Sequence, residues 1–172
     1  MNLKQLIRTV ENFPKEGIKF KDISMLLANG EALHYTIEKM AEMAKDADII
    51  VGPDARGFLF GTPVAAKLYK PFIMVRKAGK LPGETIQCAY GLEYGRNVLE
   101  IQKNIVKKGQ KAVIIDDVLA TGGTLEAITK LLEDQGVIVE KIIVLMELGG
   151  FPEARKRLPY QIENLIYVEE GE

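Results

Sequence analysis

Cysteine and histidine are almost absent from this chain. Its 172 residues contain one cysteine, Cys88, and one histidine, His34. A single cysteine excludes an internal disulfide framework and is typical of a protein of the reducing cytoplasm. One residue of each type also argues against a structural zinc site and against a cysteine–histidine nucleophile pair. Any catalysis must therefore use carboxylates, lysines, arginines and backbone amides.

Long apolar runs and a strong net charge are also missing. No stretch approaches the roughly 20 apolar residues that span a bilayer, and residues 1–8 lack the apolar core of a signal peptide. The formal net charge of −1 gives no general attraction to nucleic acid or to an anionic membrane. We expect a cytoplasmic protein with one domain, 1–172, that binds neither nucleic acid nor membrane.

Strand-like and helical segments alternate along the chain, which predicts an α/β fold with a mainly parallel, twisted sheet flanked by helices. Residues 77–95 hold four glycines and one proline with little periodicity, which predicts a long mobile loop. Pro14 and Gly17 interrupt residues 13–20, which predicts that this segment is an irregular arm. The periodicity predicts helices over 3–10, 31–45, about 56–68 and 124–135, and strands over 49–51, 72–75, 98–101, 112–115, 142–146 and 164–168.

The most informative stretch is 112–124, where a buried-looking strand leads through two aspartates and two glycines into a helix. Gly122 and Gly123 allow the backbone to approach a bulky anion, and the unpaired N–H groups of a helix start favour phosphate. Asp116 and Asp117 instead suit sugar hydroxyls, hydrated Mg²⁺ or developing positive charge. A ligand with a phosphate at one end and a ribose diol at the other satisfies both halves.

Simpler readings of these residues exist. An Asp-Asp pair after a strand can be a helix cap and a solvated turn. The preceding apolar strand and the following glycines favour the binding site. Neither a Walker P-loop nor a Gly-x-Gly-x-x-Gly fingerprint occurs in the chain, so ATP hydrolysis and NAD chemistry are not indicated.

The stretch resembles the phosphoribosyl pyrophosphate (PRPP) motif of type I phosphoribosyltransferases. Other segments narrow the resemblance to the adenine phosphoribosyltransferases within that family, and together they cover nearly the whole chain. Glu16 stands where a proline is frequent in that family, so the resemblance does not extend to the rigidity of the arm over residues 13–20. The base contacts that it implies are unaffected. The matching segments are 13–23, 52–61, 76–82, 90–95 and 112–124.

The resemblance implies a type I phosphoribosyltransferase fold with an N-terminal hood, about residues 1–30, and a flexible catalytic loop, about 77–95. It also implies a homodimer, Mg²⁺ carried by PRPP with Asp116 and Asp117 as its candidate protein ligands, and a cis peptide bond joining Asp54 to Ala55. The implied reaction is adenine plus PRPP giving AMP plus pyrophosphate, in purine salvage.

The resemblance also assigns roles to individual residues. Glu93 on the catalytic loop transfers the purine proton, and Tyr94 helps to shape that loop. Lys80 lies on the same loop, where its place beside Arg76 and Lys77 suggests contact with a polyanion. The implied phosphate contacts are Ala120, Thr121, Gly122, Gly123 and Thr124; the ribose contacts are Asp116 and Asp117. The implied pyrophosphate contacts are Asp54, Ala55, Arg56, Arg76 and Lys77, of which Arg56 and Lys77 also assist catalysis, and the adenine contacts are Lys19, Phe20 and Lys21.

Two alternative functions stay open at the level of sequence. One is a phosphoribosyltransferase for another purine base. The other is a regulator that senses PRPP with the same fold, although such a protein needs a nucleic-acid-binding module or a basic face. Taken one at a time, Glu93 can be ordinary surface, Phe20 ordinary core and the Arg76–Lys80 group a solvated basic cluster.

Overall fold

A computed structural model describes residues 1–91 and 97–172 of the chain. The strands are β1 (Arg8–Glu11), β2 (Lys19–Asp22), β3 (Ile49–Pro53), β4 (Phe72–Lys77), β5 (Thr85–Tyr90), β6 (Asn97–Gln102), β7 (Lys111–Leu119), β8 (Ile138–Leu148) and β9 (Gln161–Val168). The α-helices are α1 (Ser24–Leu27), α2 (Gly30–Met43), α3 (Arg56–Lys67), α4 (Gly123–Glu133) and α5 (Glu153–Arg157), and Leu3–Leu6 form a short 3-10 helix.

Seven of the strands form one mixed sheet in the order β5-β6-β4-β3-β7-β8-β9. The neighbours β4-β3, β3-β7, β7-β8 and β8-β9 are parallel. At the other end of the sheet, β6 pairs antiparallel with β4, and β5 pairs antiparallel with β6. The predicted mainly parallel α/β sheet is therefore confirmed. Its central strand β3 is buried at every position, as expected of a strand covered on both faces.

Alternate residues of the central strands belong to two hydrophobic cores, one on each face of the sheet. Val51 and Ile114 pack with Leu125 and Ile128 of α4. Ile50, Val113 and Ile115 face the opposite side, where Met40 of α2 and Phe60 and Val64 of α3 cover them. Because side chains alternate between faces along a strand, a continuous apolar run fills both cores.

The pairing of β3 with β7 decides where the chemistry lies. The two strands are parallel, with Val51 opposite Ile114. Their carboxyl ends therefore meet at one edge of the sheet, where open α/β sheets bind ligands. The turns that follow β3 and β7 lead into α3 and α4 and lie side by side at that edge.

The hood departs from the predicted helix over residues 3–10. Only Leu3–Leu6 are helical, and β1 pairs antiparallel with β2, with Val10 opposite Phe20. Cross-strand pairing with a segment ten residues away overrides the local helical spacing, which is a tertiary effect. The arm between these strands is irregular as predicted, and the backbone N–H of Gly17 donates to Oδ1 of Asn12 at 2.8 Å.

The predicted loop over 77–95 contains a strand that the sequence analysis missed. Thr85–Tyr90 form β5, which pairs with β6 at the edge of the sheet. Ile86, Cys88 and Tyr90 pack against the core, while Gln87 and Ala89 are exposed. Residues 92–96 lie outside the described residues, so the catalytic loop with Glu93 and Tyr94 stays a prediction. Within the described residues, no helix combines the length and the apolar character needed to cross a bilayer.

Candidate functional site: two turns at the carboxyl edge of the sheet

The first turn follows β7, which is longer than the sequence predicted. The strand extends through Asp116 and Asp117 to Leu119, and α4 begins at Gly123. Ala120, Thr121 and Gly122 therefore form the turn. Gly122 has φ +84°, a left-handed conformation, and a Cβ there would lie 3.2 Å from Leu158 Cδ1. Glycine suits this position because it meets both constraints without strain.

Asp117 is buried with an unsatisfied oxygen at the centre of this edge. The residue is 3% exposed, and its Oδ2 atom lies 2.8 Å from Nε of Arg56. The N–H direction does not meet hydrogen-bond geometry, so Oδ2 has no hydrogen-bond partner among the described residues. The charge of Arg56 offsets that of Asp117, and a ligand hydroxyl that donated to Oδ2 would complete the hydrogen bonding of this buried oxygen.

Asp116 neighbours this oxygen and accepts a hydrogen bond on Oδ1 from the backbone N–H of Asp117, at 2.8 Å. Burial raises the pKa of the Asp116 carboxyl well above its ordinary value, and the adjacent Asp117 charge raises it further. Two carboxylates held this close attract positive charge and hydrogen-bond donors. They would repel the oxygens of a phosphate.

The second turn follows β3 and brings Arg56 to the aspartate pair. The peptide bond between Asp54 and Ala55 is cis, as the resemblance implied. Helix α3 then begins at Arg56, and Gly57 lets it pack tightly against the sheet. A Cβ on Gly57 would lie 2.6 Å from Pro53 Cδ and 3.0 Å from the Ile115 carbonyl oxygen. The close approach of α3 to β3 and β7 places the guanidinium of Arg56 beside Asp117.

Together the two turns enclose a cavity of about 280 Å³. Its polar lining combines carboxylates, one guanidinium and the hydroxyls and amides of a helix start. The lining residues include Asp54, Ala55, Arg56, Asp116, Asp117, Ala120, Thr121, Gly122, Gly123 and Thr124. The structure thus brings together the residues that the sequence assigned to the phosphate, the ribose and most of the pyrophosphate contacts.

The basic residues after β4 adjoin the second turn. Arg76 donates from Nε to Oδ2 of Asp54 at 2.7 Å and from Nη1 to the Lys80 carbonyl at 3.4 Å. Lys77 and Lys80 are exposed. Arg76 is therefore held at the Asp54 turn, while the two lysine side chains extend into solvent beside it.

The hood covers the same edge through Phe20. The ring of Phe20 lies over the guanidinium of Arg56, with 5.0 Å from the ring centroid to Cζ, and Phe13 packs edge-on against Phe20. Nζ of Lys19 donates to the backbone oxygen of Gly171 at 3.3 Å. Nζ of Lys21 donates to a backbone oxygen of Glu172 at 2.6 Å and to Oγ1 of Thr9 at 2.7 Å. Within the described residues β2 pairs only with β1, so one backbone edge of β2 carries no strand.

Tyr90 lies beside the site, and no role for it was predicted from the sequence. Its hydroxyl lies 3.5 Å from Oγ1 of Thr124, as a long hydrogen bond. The alternation of Ile86, Cys88 and Tyr90 was the available signal, since period-two apolar spacing predicts a half-buried strand. Helix α5 also went unpredicted, although a proline and a glutamate at its start are typical of a helix N-terminus.

Comparison with known proteins agrees with this geometry. The family described as "Phosphoribosyl transferase domain" matches residues 22–168. The chain is 66% identical over 168 residues to the adenine phosphoribosyltransferase of Mycoplasmopsis pulmonis, covering 98% of this chain and 99% of that protein. The chain belongs to the adenine phosphoribosyltransferase family. The Clostridium botulinum enzyme of that name is 53% identical, covering 96% of this chain and 98% of the relative.

Solved members of the adenine phosphoribosyltransferase family share the fold. The crystal structure from Thermoanaerobacter pseudethanolicus is 49% identical, with a TM-score of 0.91 and coverage of 96% of this chain and 98% of that one. The Saccharomyces cerevisiae structure, complexed with D-2,5-dideoxy-2,5-imino-altritol 1,6-bisphosphate and adenine, is 37% identical with a TM-score of 0.87, covering 93% and 94%. The type I phosphoribosyltransferase fold predicted from the sequence is confirmed.

Proposed function

We propose that the protein transfers the phosphoribosyl group of PRPP to adenine, giving AMP and pyrophosphate in purine salvage. The observation that carries the proposal is the contact of Arg56 with Asp117, which joins the two turns in one cavity. A glycine-rich helix start, a carboxylate pair and a guanidinium then lie in the order that PRPP requires. The names of the relatives support the same reaction.

In this proposal PRPP lies across the edge of the sheet. Its 5′-phosphate occupies the turn 120–124, where backbone N–H groups and the hydroxyls of Thr121 and Thr124 can donate. The ribose hydroxyls donate to Asp116 and Asp117, so the buried Oδ2 of Asp117 gains a partner. The pyrophosphate lies on the Asp54–Arg56 turn, where Arg56, Arg76 and Lys77 offset its charge.

Mg²⁺ fits this arrangement as an ion delivered with PRPP. Within the described residues there is no cluster of three or more metal-ligating side chains. Asp116 and Asp117 provide two carboxylates, and Mg²⁺ is commonly held by one or two carboxylates together with substrate phosphates and water. When bound, the ion would offset negative charge on the pyrophosphate.

The proposed reaction is a displacement at C1 of the ribose. The bond from C1 to the pyrophosphate oxygen breaks, pyrophosphate leaves with the electron pair, and a purine nitrogen forms the new bond to C1. The ribose passes through an oxocarbenium-like state, electronically related to that of glycoside hydrolysis. The Asp116–Asp117 pair favours this positive charge, and Arg56 and Lys77 favour the departing anion.

Adenine must lose a proton as its nitrogen bonds to C1. Glu93 is the proposed acceptor, by the resemblance of residues 90–95 to the family's loop, and it lies outside the described residues. A carboxylate that exchanges this proton contributes typically 10²- to 10⁴-fold to the rate. Tyr94 is proposed to shape the closed loop around it, and Lys80 is proposed to contact the pyrophosphate.

Recognition of adenine is assigned to β2. Phe20 would stack on the base, and the backbone of Lys19 and Lys21 would read its edge. The lysine side chains are directed to the tail, so base reading falls to the backbone. Because backbone donors and acceptors have fixed polarity, a 6-oxopurine would leave buried groups unpaired, at about 1–3 kcal/mol each.

A radiolabelled adenine assay tests the proposed function. We expect conversion to AMP only when PRPP and Mg²⁺ are both present. Unlabelled adenine should compete, while hypoxanthine and xanthine should not. Competition by a 6-oxopurine would point to a phosphoribosyltransferase for another base. PRPP binding without turnover would point to a PRPP-sensing regulator. The homodimer that the family resemblance implies is also part of the proposal. Sedimentation of the purified protein tests it.

A further inference from the structure

A second, larger cavity adjoins the phosphate turn on the side of α4 and α5. Its volume is about 760 Å³, and it shares Thr121, Gly123 and Thr124 with the cavity between the two turns. The additional lining includes Tyr90, Lys130 and Arg157. The phosphate turn is therefore open to two spaces, one on each side.

The two spaces differ in charge. In the cavity between the turns each of Asp54 and Asp117 already has a cation beside it, Arg76 and Arg56 respectively. The larger cavity has the two cations Lys130 and Arg157 against one acid, Glu126. A phosphate dianion on the turn is therefore attracted to the second side, where the cations outnumber the acid.

Arg157, the last residue of α5, reaches the helix start itself. Its Nη1 atom lies 3.5 Å from the position that a Cβ on Gly123 would take. The same position lies 3.8 Å from Thr121 Oγ1 and 3.8 Å from Tyr90 Cδ2. The guanidinium, a hydroxyl donor and the amino end of α4 thus converge on one small volume next to Gly123.

The protein contact that holds Arg157 is loose. Its Nε atom is 3.7 Å from Oε2 of Glu126, which is an ion pair beyond hydrogen-bond distance. Oε1 of Glu126 is in turn 3.8 Å from Nζ of Lys130. By contrast, Arg155 on the same helix donates to both oxygens of Glu147, at 2.9 and 2.6 Å. Arg155 is therefore engaged in the fold, whereas the Nη groups of Arg157 face the cavity.

We propose that Arg157 binds the 5′-phosphate of PRPP and of AMP, and that it makes the site select phosphorylated ribose over a nucleoside. This inference rests on the proposed function and adds a residue from outside the 112–124 motif. Backbone N–H groups at a helix start supply partial charges, whereas a guanidinium supplies a full charge and two parallel donors. That full charge offsets the negative charge of the phosphate itself.

The test compares Arg157→Met with the control Lys156→Met in calorimetric titrations of AMP and adenosine. Lys156 lies on the same short helix and is exposed, and its Nζ pairs with Glu153 at 3.3 Å. We expect Arg157→Met to weaken AMP binding about ten- to a hundredfold, the range for a hydrogen bond to a charged group. Adenosine binding should stay within twofold of wild type, and Lys156→Met should leave both ligands unaffected.

Kinetics give a second readout of the same idea. Arg157→Met should raise the KM for PRPP by a similar factor and leave the KM for adenine unchanged. Arg157→Lys, which keeps the charge, should lose less than the Met variant. If Arg157→Met lowers the melting temperature, Arg157→Gln, whose side chain is as long as that of methionine, replaces it in both measurements.

Two results would overturn the proposal. One is unchanged AMP affinity in Arg157→Met. The other is an equal loss for AMP and adenosine, which would mean that Arg157 acts only through the packing of α5. A wild-type protein that binds neither AMP nor PRPP would instead refute the proposed function, so the two failures are distinguishable.

Discussion

Gly57 sets how closely α3 approaches the sheet, and a single methyl group there should move the pyrophosphate turn. In Gly57→Ala the new Cβ would lie 2.6 Å from Pro53 Cδ and 3.0 Å from the carbonyl oxygen of Ile115. Ordinary van der Waals contact begins at 3.4 Å. Both neighbours belong to buried strands, β3 and β7, and cannot swing away as a flexible side chain would.

The helix start must therefore shift, and the geometry gives the size of the shift. Lengthening the Pro53 contact from 2.6 to 3.4 Å requires a movement of about 0.8 Å. Overpacking of this kind typically costs about 1–3 kcal/mol of stability. Arg56 precedes Gly57 directly, so it moves with the helix, and a misplacement of about 1 Å can cost about 10²-fold in rate. We expect both losses, measured by urea denaturation and as kcat/KM for PRPP.

Two other glycines act as controls. In Gly61→Ala, one turn further along α3, the new Cβ would meet Phe72 Cε2 at 2.5 Å. That variant should also lose stability but keep kcat/KM within a few fold, because it lies away from the turn. Gly30→Ala at the start of α2 meets no atom within 4 Å, and should be neutral or slightly stabilising. Wild-type stability and wild-type kcat/KM in Gly57→Ala would refute the reasoning.

Four further predictions concern carboxylates. Replacing Asp116 and Asp117 together by asparagine should abolish PRPP binding in calorimetry, and near-normal affinity would count against their assignment. Burial raises the pKa of Asp116, so the folded protein holds this proton more tightly than the unfolded chain does, and its stability falls as pH rises through the ordinary aspartate range. In thermal melts without ligand, Asp116→Asn alone should gain on wild type as pH rises from about 4, and a constant difference would contradict this. Glu93→Gln should lower kcat about 10²- to 10⁴-fold with little change in PRPP affinity, and unchanged turnover would remove Glu93 from proton transfer. Hydrogen bonds from Arg155 lower the pKa of Glu147, so its contribution to stability is present above the ordinary glutamate range and is lost as pH falls through the lowered pKa. Glu147→Gln should cost about 1–2 kcal/mol at pH 7 and progressively less as pH falls below that range, as measured by urea denaturation. A cost that did not change with pH would exclude the charge as its source.

The centre of the fold could be predicted from the sequence because its elements are defined locally. Strand β3 and the residues of β7 before Asp116 are apolar runs, and each is followed within a few residues by aspartate and glycine. Residue type and order along the chain were therefore enough to place Asp54–Arg56 and Asp116–Thr124 at one edge of a parallel sheet.

The periphery could not be predicted in the same way, because its elements depend on contacts with other segments and not on their own local pattern. β1 exists through its pairing with β2, and β5 through its pairing with β6. Arg157 lies beside Gly123 only because α5 packs against the phosphate turn, through Ala154 and Leu158 beside Gly122. No spacing within the sequence indicates that contact.

A crystal structure of the complex with AMP tests the central claim most directly. We predict the phosphate within hydrogen-bond distance of the turn 120–124, with the ribose hydroxyls donating to Asp116 and Asp117. An AMP molecule bound at another place, with that turn and the aspartate pair making no contact to it, would contradict the account.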